Sequence, residues 1–308
     1  MRVRVLVNPT AGGGSAARKL PAILREIERA GALPDSAETR AQGDAARLVR
    51  AAAADGVDCV AIVGGDGTLN EAAQAFIDAE GHAVPGPALA LIPCGTGGDF
   101  RRTFGIGDSI EEAVARLVSS PARPIDLGAL ELIDAHGQKV VRAFINITSF
   151  GLAGLTDRIV NSTSKWLGGR ASFFVGALRA MAQYRNAAVR VSVDGRPFLE
   201  QPVVNVAIAN GRFFGGGMRV APDADPSDGS FEVVAVGDLS TLGNLGLAGH
   251  IYKGTHVTQP GVTVTRGREI RAEPLVAGSE VLIDMDGETP GRLPLVARVL
   301  PGAVRLRA

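Results

Sequence analysis

Three glycine-rich segments, each placed directly after a largely apolar run, constrain the fold of this chain most strongly. They read Asn-Pro-Thr-Ala-Gly-Gly-Gly-Ser from position 8, Gly-Gly-Asp-Gly-Thr-Leu-Asn-Glu from position 64 and Pro-Cys-Gly-Thr-Gly-Gly-Asp-Phe from position 93. The preceding runs, Val3–Val7, Cys59–Val63 and Ala88–Ile92, are typical of buried strands in a parallel sheet. Ligands of such sheets bind at the carboxyl ends of the strands. The sequence therefore predicts that the three segments, called loops 1, 2 and 3 below, face one site.

Helical patterns separate and follow these runs. They cover Ala16–Ala30, Ala45–Ala54, Leu69–Ala79 and Ile110–Val118. Strands that alternate with helices are typical of a parallel sheet covered on both faces. We therefore predict that residues 1–124 form a Rossmann-like α/β domain.

The pattern changes after Pro124, where candidate strands follow one another with turns such as Asp194-Gly195 between them. These strands are Asp126–Ile133, Lys139–Ser149, Ala188–Val193, Val203–Ala209, Glu232–Val236, Glu269–Ala272 and Glu280–Met285. They predict an all-β domain, a sandwich or a barrel, over residues 125–298, with one helical stretch at roughly 162–184. Residues 299–308 hold a final strand, and its return to the first domain is left open.

Composition narrows the class of protein. The 308 residues fit two domains, and 32 Lys and Arg against 32 Asp and Glu leave no global basic field, which argues against nucleic-acid binding. Two cysteines, Cys59 and Cys94, exclude a disulfide scaffold and favour a reducing compartment. The N-terminus has no signal-peptide pattern and no run of 18 apolar residues occurs, so we expect a cytoplasmic protein.

The chemistry of the loops points to phosphate. Loop 1 follows a strand and opens a helix, where free backbone N–H groups can hold an anion, although a tight strand–helix turn would look similar. In loop 2, Asp66 could hold Mg²⁺ or polarise a hydroxyl group; the alternative is a helix N-cap. Three such loops in order fit a nucleoside triphosphate best.

At this point the residues resemble a known family, the lipid kinases with a diacylglycerol kinase catalytic domain, in their soluble bacterial form. Loops 1, 2 and 3 look like its three nucleotide motifs. Asp223–Phe231 resembles the stretch that holds a structural Mg²⁺, and Asp286-Gly287-Glu288 resembles the Asp-Gly-Glu that supplies the catalytic carboxylate. The resemblance implies a nucleotide domain followed by a β-sandwich, and transfer of phosphate from ATP to a lipid alcohol such as diacylglycerol, ceramide or a sphingoid base.

The resemblance also assigns residues. The ATP contacts it implies are Asn8, Pro9, Thr10, Ala11, Gly12, Thr39, Gly64, Gly65, Asp66, Gly67, Thr68, Leu69, Asn70 and Thr96. The structural metal would be held by the Asp228 side chain with backbone oxygens near Asp225 and Ser230, whereas an ordinary hairpin turn is the alternative. The catalytic base is left open between Asp286 and Glu288, with Asp66 as a rival. Gly98 departs from the family, which usually has Asn there, and this leaves the substrate subclass open.

A segment without acidic residues, Arg158–Val193, suggests contact with a lipid surface. It carries Arg158, Lys165, Trp166, Arg170, Phe173, Phe174, Arg179, Met181, Tyr184, Arg185 and Arg190. Cationic and aromatic residues on one helix are typical of peripheral binding to an anionic membrane. The alternative is a helix that packs on the β domain with a solvated basic face.

Other functions stay open. A kinase of a soluble acceptor, similar to NAD kinases, shares the Gly-Gly-Asp-Gly-Thr of loop 2 but not the order of all five motifs. A non-catalytic protein that binds a nucleotide or a lipid is a third interpretation. A dinucleotide-dependent oxidoreductase is a weak fourth, because no clear ribose-binding acid ends the next strand. A homodimer is also left open.

Overall fold

The computed structural model of the protein describes residues 1–94, 98–162, 176, 179–181 and 183–308. The chain divides into two compact units. Unit 1 comprises Met1–Leu127 and Leu300–Ala308, and unit 2 comprises Gly128–Val299. The sequence placed the corresponding boundaries after residues 124 and 298.

Unit 1 is built on a parallel sheet. Its strands are β1 (Arg2–Val7), β2 (Leu33–Glu38), β3 (Cys59–Gly64) and β4 (Ala88–Pro93), and the end of β15 (Glu288–Arg307) pairs with β4. The order is β2-β1-β3-β4-β15, and all four neighbouring pairs are parallel. This order brings loops 1, 2 and 3 to the same edge of the sheet, since they follow β1, β3 and β4.

Helices cover the sheet of unit 1. They are α1 (Ala11–Arg29), α2 (Asp44–Ala54), α3 (Asp66–Ala73), α4 (Asp99–Thr103) and α5 (Ile110–Ser119). Alternate strand residues such as Val5 and Ala61 pack with Ile23 of α1 and Leu117 of α5 in one apolar cluster. The expected α/β domain is thus confirmed.

In unit 1, one predicted helix has the wrong end and one strand was missed. The helix expected over 69–79 ends at Ala73, and Gln74–Phe76 form a single 3₁₀ turn. Ile77 is extended because it pairs with Ala83 in a β-bridge. Strand β2 was not expected, since its sequence Leu-Pro-Asp-Ser-Ala-Glu is polar and it lies at the edge of the sheet, where little is buried.

Unit 2 is rich in antiparallel strands. They are β6 (Lys139–Phe144), β7 (Ile147–Gly151), β8 (Ala187–Val193), β9 (Arg196–Val203), β10 (Asn205–Ala209), β11 (Phe231–Val236), β12 (Val262–Gly267), β13 (Glu269–Pro274) and β14 (Leu282–Met285); β5 (Arg123–Ile133) and β15 run through both units. The main strand order is β12-β11-β10-β7-β14-β15. The core contains Phe144, Phe150 and Phe231, with the rings of Phe144 and Phe231 stacked at 5.2 Å. The expected β-rich second domain is confirmed.

The helices of unit 2 differ from the prediction. Helix α6 (Leu152–Ser162) follows β7. A further helix, α7 (Thr241–Lys253), was not expected, so the prediction of a single helical insertion in this domain is wrong. Three glycines give α7 a low helix propensity, but Ser240 caps its start by accepting the Gly243 N–H at 3.2 Å, and Gly254 ends it with φ of 72°. Most of the helical stretch expected at 162–184 lies outside the described residues.

The strand predicted over 139–149 is two strands. Residues Ile145 and Asn146 separate β6 from β7. Their backbone N–H groups bind the Asp286 side chain, so they do not join the ladder. This break therefore belongs to the site described below.

Candidate functional site

Loop 1 leaves β1 and reaches the regular part of α1 through three glycines. Asn8 Oδ1 accepts hydrogen bonds from the Thr10 N–H at 3.1 Å and from the Thr10 hydroxyl at 2.8 Å. Pro9 lies between them, and the Ala11 N–H donates to the Asn8 carbonyl at 3.0 Å. The glycines at 12, 13 and 14 have φ of 58°, 64° and 83°, which residues with a Cβ rarely adopt. Successive residues in such conformations can direct N–H groups at an anion.

Loop 2 follows β3 and starts α3. A Cβ added to Gly64 would lie 2.7 Å from Thr68 Oγ1, so the close approach of Thr68 requires glycine here. A Cβ added to Gly65 or Gly67 would meet no atom within 4 Å, so the backbone at these two positions borders open space. The Asn8 side-chain amide donates to Thr68 Oγ1 at 3.4 Å and connects loops 1 and 2.

Leu69 and Asn70 are the last two residues of loop 2 for which the resemblance implies contact with ATP, and both are buried in unit 1. Leu69 is 1% exposed and Asn70 is 2% exposed. The Leu69 N–H donates to the Gly65 carbonyl at 3.2 Å, which begins α3. Their contact with a nucleotide therefore stays a prediction.

Asp66 connects loop 2 with loop 3. Its Oδ2 accepts the N–H of Gly98 at 2.9 Å and of Asp99 at 2.8 Å, and its Oδ1 accepts the Phe100 N–H at 3.4 Å. The carboxylate thus satisfies the N–H groups that begin α4. The sequence suggested that Asp66 is a metal ligand or a base. In the structure, its carboxylate positions the backbone at the start of α4.

Thr96, together with Gly95 and Gly97, lies outside the described residues. Gly98 has φ of 140°, and a Cβ added there would collide with the Arg101 side chain. An asparagine, the family's usual residue, would be strained in this conformation. Arg101 donates to the Ile106 carbonyl at 2.7 Å, and its guanidinium lies 2.6 Å from Asp108 Oδ1. Arg101 thus stabilises the chain after α4.

Thr39 lies at the same edge of the sheet as the loops. It follows β2, and its N–H donates to the Val7 carbonyl at the end of β1, at 2.9 Å. Asp44, at the start of α2, accepts the N–H of Arg40 at 2.8 Å and of Ala41 at 3.2 Å. These bonds fix the segment after β2 beside loop 1.

In unit 2, the Asp-Gly-Glu motif forms a two-residue hairpin turn between β14 and β15. Met285 pairs with Glu288, and Asp286 and Gly287 have φ of 51° and 89°. Positive φ at both central positions is the signature of a type I′ turn, for which Asp-Gly is a favoured sequence. Glu288 therefore begins β15, where it is half-buried.

The Asp286 carboxylate is held by the backbone. Oδ2 accepts the N–H of Ile145 at 3.0 Å, and Oδ1 accepts those of Asn146 at 3.1 Å and Ile147 at 2.9 Å. The Asp286 N–H returns a bond to the Ile147 carbonyl at 3.0 Å. Asp286 thus attaches the turn to the β6–β7 connection.

Two further acids beside this turn were missed in the sequence. Asp284 on β14 is fully buried, and Asp157 on α6 is 6% exposed. Burial is the main cause that raises the pKa of each carboxyl above its usual range. An aspartate inside the apolar strand Leu-Ile-Asp-Met was the available signal, but its partner is 127 residues earlier in the chain.

The acidic turn of residues 223–231 was predicted to hold a metal. Asp225 Oδ1 accepts the Ser227 N–H at 3.0 Å, while Asp228 Oδ1 accepts the N–H and the hydroxyl of Ser230, both at 2.9 Å. Asp228 Oδ2 lies 2.9 Å from the Arg266 guanidinium, which also donates to the Asp223 carbonyl. The predicted ligands thus bond to their own turns and to an arginine, and a metal ion there stays a prediction.

The basic segment at 158–193 is described only in part. Lys165, Trp166, Arg170, Phe173 and Phe174 lie outside the described residues. Arg158 pairs with Glu280 at 2.9 Å, and Arg190 pairs with Glu200 and Glu273 at 2.9 and 2.7 Å. Tyr184 donates to the Val203 carbonyl at 3.1 Å, and burial raises its pKa to about 12. Within the described part, no helix is long and apolar enough to cross a membrane.

Comparison with known proteins agrees with this arrangement. Residues 2–130 match the diacylglycerol kinase catalytic domain, and residues 146–308 match the YegS C-terminal NAD kinase beta sandwich-like domain. A diacylglycerol kinase of Mycobacterium tuberculosis (strain ATCC 25618 / H37Rv) is 29% identical over 306 residues, which cover 99% of this chain and 94% of the relative. A diacylglycerol kinase of Bacillus subtilis (strain 168) is 28% identical over 295 residues, which cover 95% and 91%.

Solved structures give the same fold. A crystal structure from Bacillus anthracis str. Sterne, provisionally assigned as a diacylglycerol kinase, has a TM-score of 0.77 at 26% identity and covers 99% of this chain and 96% of that chain. Yeast NADH kinase complexed with NADH has a TM-score of 0.52 at 10% identity, with 99% and 82% covered, which shows a likeness of fold alone. The chain therefore belongs to the family of kinases that join a diacylglycerol kinase catalytic domain to a YegS C-terminal NAD kinase beta sandwich-like domain.

Proposed function

We propose that the protein is an ATP-dependent lipid kinase that transfers the γ-phosphate of ATP to the hydroxyl group of a lipid alcohol. The observation that carries the nucleotide part is the linkage of loops 1, 2 and 3 through Asn8–Thr68 and Asp66–Gly98 hydrogen bonds at one sheet edge. The relatives from Mycobacterium tuberculosis and Bacillus subtilis are diacylglycerol kinases, so diacylglycerol is the first acceptor to test. Ceramide and sphingoid bases are the acceptors to test next.

Phosphoryl transfer depends mainly on positioning and on neutralising charge. Backbone N–H groups of loops 1 and 2 can hold the phosphates, and the open space at Gly65 and Gly67 leaves room for phosphate oxygens. Mg²⁺, when bound with the nucleotide, supplies positive charge at the β- and γ-phosphates. Asp66 Oδ1 fits such an ion because it receives only the long 3.4 Å bond from Phe100.

The acceptor hydroxyl must lose its proton, and Glu288 is the proposed base. Asp286 is the less suitable member of the pair because three backbone N–H groups occupy its carboxylate. Glu288 begins β15 directly after the type I′ turn, so the turn sets its position. A carboxylate that takes the proton in the transition state contributes about 10²–10⁴-fold in rate.

A lipid acceptor requires contact with a membrane or a micelle. We keep the proposal of peripheral attraction to anionic lipid, which rests on the sequence at 158–193. Because Arg158 and Arg190 already have acidic partners, the attraction must come mainly from the other cations of that segment. Flotation with vesicles that contain or lack anionic lipid tests this, and equal binding to both kinds would contradict it.

The test of the proposed function is transfer of label from [γ-³²P]ATP with Mg²⁺ to a panel of acceptors in mixed micelles. The panel contains diacylglycerol, ceramide, sphingosine, a glycerophospholipid, NAD and no acceptor, and Glu288→Gln is the matched inactive control. A labelled lipid with the wild type and none with the control supports the proposal. Label on NAD would assign a soluble acceptor, and ATP binding without any transfer would favour a regulator.

A further inference from the structure

A hydrogen-bonded pair of buried carboxyl groups lies behind the Asp-Gly-Glu turn. Asp157 on α6 and Asp284 on β14 bond to each other through their side chains. Ionised carboxylates have only acceptor oxygens, so a bond between two carboxyl groups needs one proton. A bond between Asp157 and Asp284 would therefore require that the two acids share one proton.

The packing of α6 against β14 brings these acids together. Gly154 precedes Asp157 by almost one helical turn, and a Cβ added to it would collide with the Leu282 carbonyl oxygen. Leu282 and Asp284 are two residues apart on the strand and thus face the same side, as Gly154 and Asp157 do on the helix. Glycine at 154 therefore allows the helix to come close enough for the carboxyl groups to meet.

Asp284 uses its other lone pairs to hold the turn. Its Oδ1 accepts the Gly287 N–H at 2.9 Å, and its Oδ2 accepts the Ser149 hydroxyl at 3.1 Å. Asp286 fixes the same turn to the backbone at 145–147. Asp284 and Asp286 thus both hold the turn, and Glu288 is the residue that directly follows it.

We propose that Asp284, bonded to Asp157 through one shared proton, is a positioning residue for Glu288. The inference rests on the proposed function of Glu288 as the base. Asp284 itself is fully buried and acts through the Gly287 N–H, not through contact with a substrate. Asp157 Oδ2 is buried and receives no hydrogen bond from another donor of the described residues, which fits a group that shares a proton with Asp284.

The surroundings of the pair favour retention of the proton. The charged groups that act on Asp284 are Asp157 and Asp286, and both raise its pKa. Arg158, next to Asp157 on α6, pairs with Glu280 instead. Ser149 on β7 is neutral, and Glu288 is a further acid on the turn side. Since the pKa is raised in the folded protein, the stabilisation is present at low pH and is lost as the pH rises through the folded value.

Two substitutions of Asp157 separate the shared proton from simple packing. Asp157→Asn keeps a donor toward Asp284, whereas Asp157→Ala removes that donor and leaves Asp284 buried with only the Gly287 N–H and the Ser149 hydroxyl as partners. We expect Asp157→Ala to lower kcat about tenfold or more with little change in the KM for ATP, as expected when transition-state positioning is lost. We expect kcat of the wild type to fall at alkaline pH, where the pair would lose its shared proton. Asp157→Asn should keep kcat within about threefold at pH 7 and should not show this fall.

Infrared difference spectroscopy gives a readout that does not depend on activity. The wild type should show the carbonyl band of a buried protonated carboxylic acid at neutral pH, and Asp157→Asn should lose it. Absence of that band in the wild type would overturn the shared proton. Equal kcat and pH profiles for wild type, Asp157→Asn and Asp157→Ala would overturn the positioning function. If Asp157→Ala does not fold, a pH profile of Asp157→Asn equal to that of the wild type would overturn it.

The outcomes also separate this inference from the proposed function. If the wild type labels no acceptor in the panel, the proposed function fails, while the infrared band and the pH dependence of unfolding still test the pair. If the wild type labels a lipid and the two Asp157 variants behave like it at every pH, the inference fails and the proposed function stands.

Discussion

Asp66 Oδ2 lies 2.9 Å from the backbone nitrogen of Gly98, so one carboxylate at the start of α3 holds the start of α4. The same oxygen accepts the Asp99 N–H at 2.8 Å. Loops 2 and 3 are consequently one hydrogen-bonded structure and not two independent turns. An acid inside Gly-Gly-Asp-Gly-Thr is therefore explained by architecture before any metal is considered.

Replacement of Asp66 tests this arrangement. In Asp66→Ala, three N–H groups lose their acceptor, which should lower the free energy of unfolding by about 1–3 kcal/mol. We expect the affinity for ATP to fall with it, because loop 3 is released, and Asp66→Asn, which keeps one acceptor oxygen, to lie between. Denaturant titration and ATP calorimetry measure the two effects. Unchanged stability with a higher concentration of Mg²⁺ needed for activity would instead make Asp66 primarily a metal ligand.

The open space at Gly67 gives a prediction in which stability and binding change in opposite directions. Gly67 lies within α3 and borders open space, so Gly67→Ala should raise the stability by up to about 1 kcal/mol. The new methyl group would enter the space proposed for phosphate oxygens, and we expect the Kd for ATP to rise about tenfold or more.

Gly246→Ala is the matched control for this prediction. Gly246 lies on α7 in unit 2, and an added Cβ there also meets no atom within 4 Å. This variant should gain similar stability and keep the wild-type Kd. Wild-type ATP affinity in Gly67→Ala would place the phosphates elsewhere.

The sequence predicts those parts of the fold that local patterns determine. The apolar runs of β3 and β4 and the glycines of loops 1 and 2 lie where they were expected. Strand β2 was missed because parallel pairing with β1 and an ion pair with Arg4, not burial, hold its polar residues. Helix α7 was missed because its caps, not its composition, define it.

The sequence identifies several residues of the candidate site, but it does not predict which groups they contact. Asp66 and Asp286 were both nominated, yet their bonds to backbone groups 32 and 141 residues away cannot be read from spacing. The Asp157–Asp284 pair is of the same kind, since it depends on the approach of α6 to β14. The proposal of Glu288 as the base rests on such contacts, because three backbone N–H groups bind the Asp286 carboxylate.

The two acids of the Asp-Gly-Glu turn should respond differently to neutral substitutions. Glu288→Gln should lower kcat by about 10²–10⁴-fold while the free energy of unfolding stays within about 0.5 kcal/mol, since Glu288 is half-buried at a strand start. Asp286→Asn should reduce stability, because its NH₂ group would replace an accepting oxygen and face at least one backbone N–H, that of Ile145 or those of Asn146 and Ile147. Kinetic measurements and unfolding curves for both variants check this prediction. A stable but inactive Asp286→Asn, together with an active Glu288→Gln, would make Asp286 the base instead of Glu288.

Arg4 gives a prediction about pH. Its side chain is 15% exposed and binds Asp35 on β2 with two bonds, at 2.9 and 2.7 Å, and Asp55 after α2 at 2.9 Å. The hydrogen bonds from Arg4 are the main cause that lowers the pKa of Asp35. A lowered pKa means that the stabilisation is present above the unfolded value, about 3.9, and is lost as the pH falls.

We therefore expect Arg4→Met to lower the free energy of unfolding by about 1–2 kcal/mol at pH 7, a value reduced for the exposure of Asp35. The difference from wild type should shrink when both are measured at about pH 3, because Asp35 takes up a proton as the pH falls below its unfolded value. Arg47→Met, which breaks an exposed pair with Asp44 within α2, is the control and should change stability by about 0.5 kcal/mol or less. An equal loss for Arg4→Met at both pH values would mean that its apolar stem, and not its charge, secures the edge strand β2.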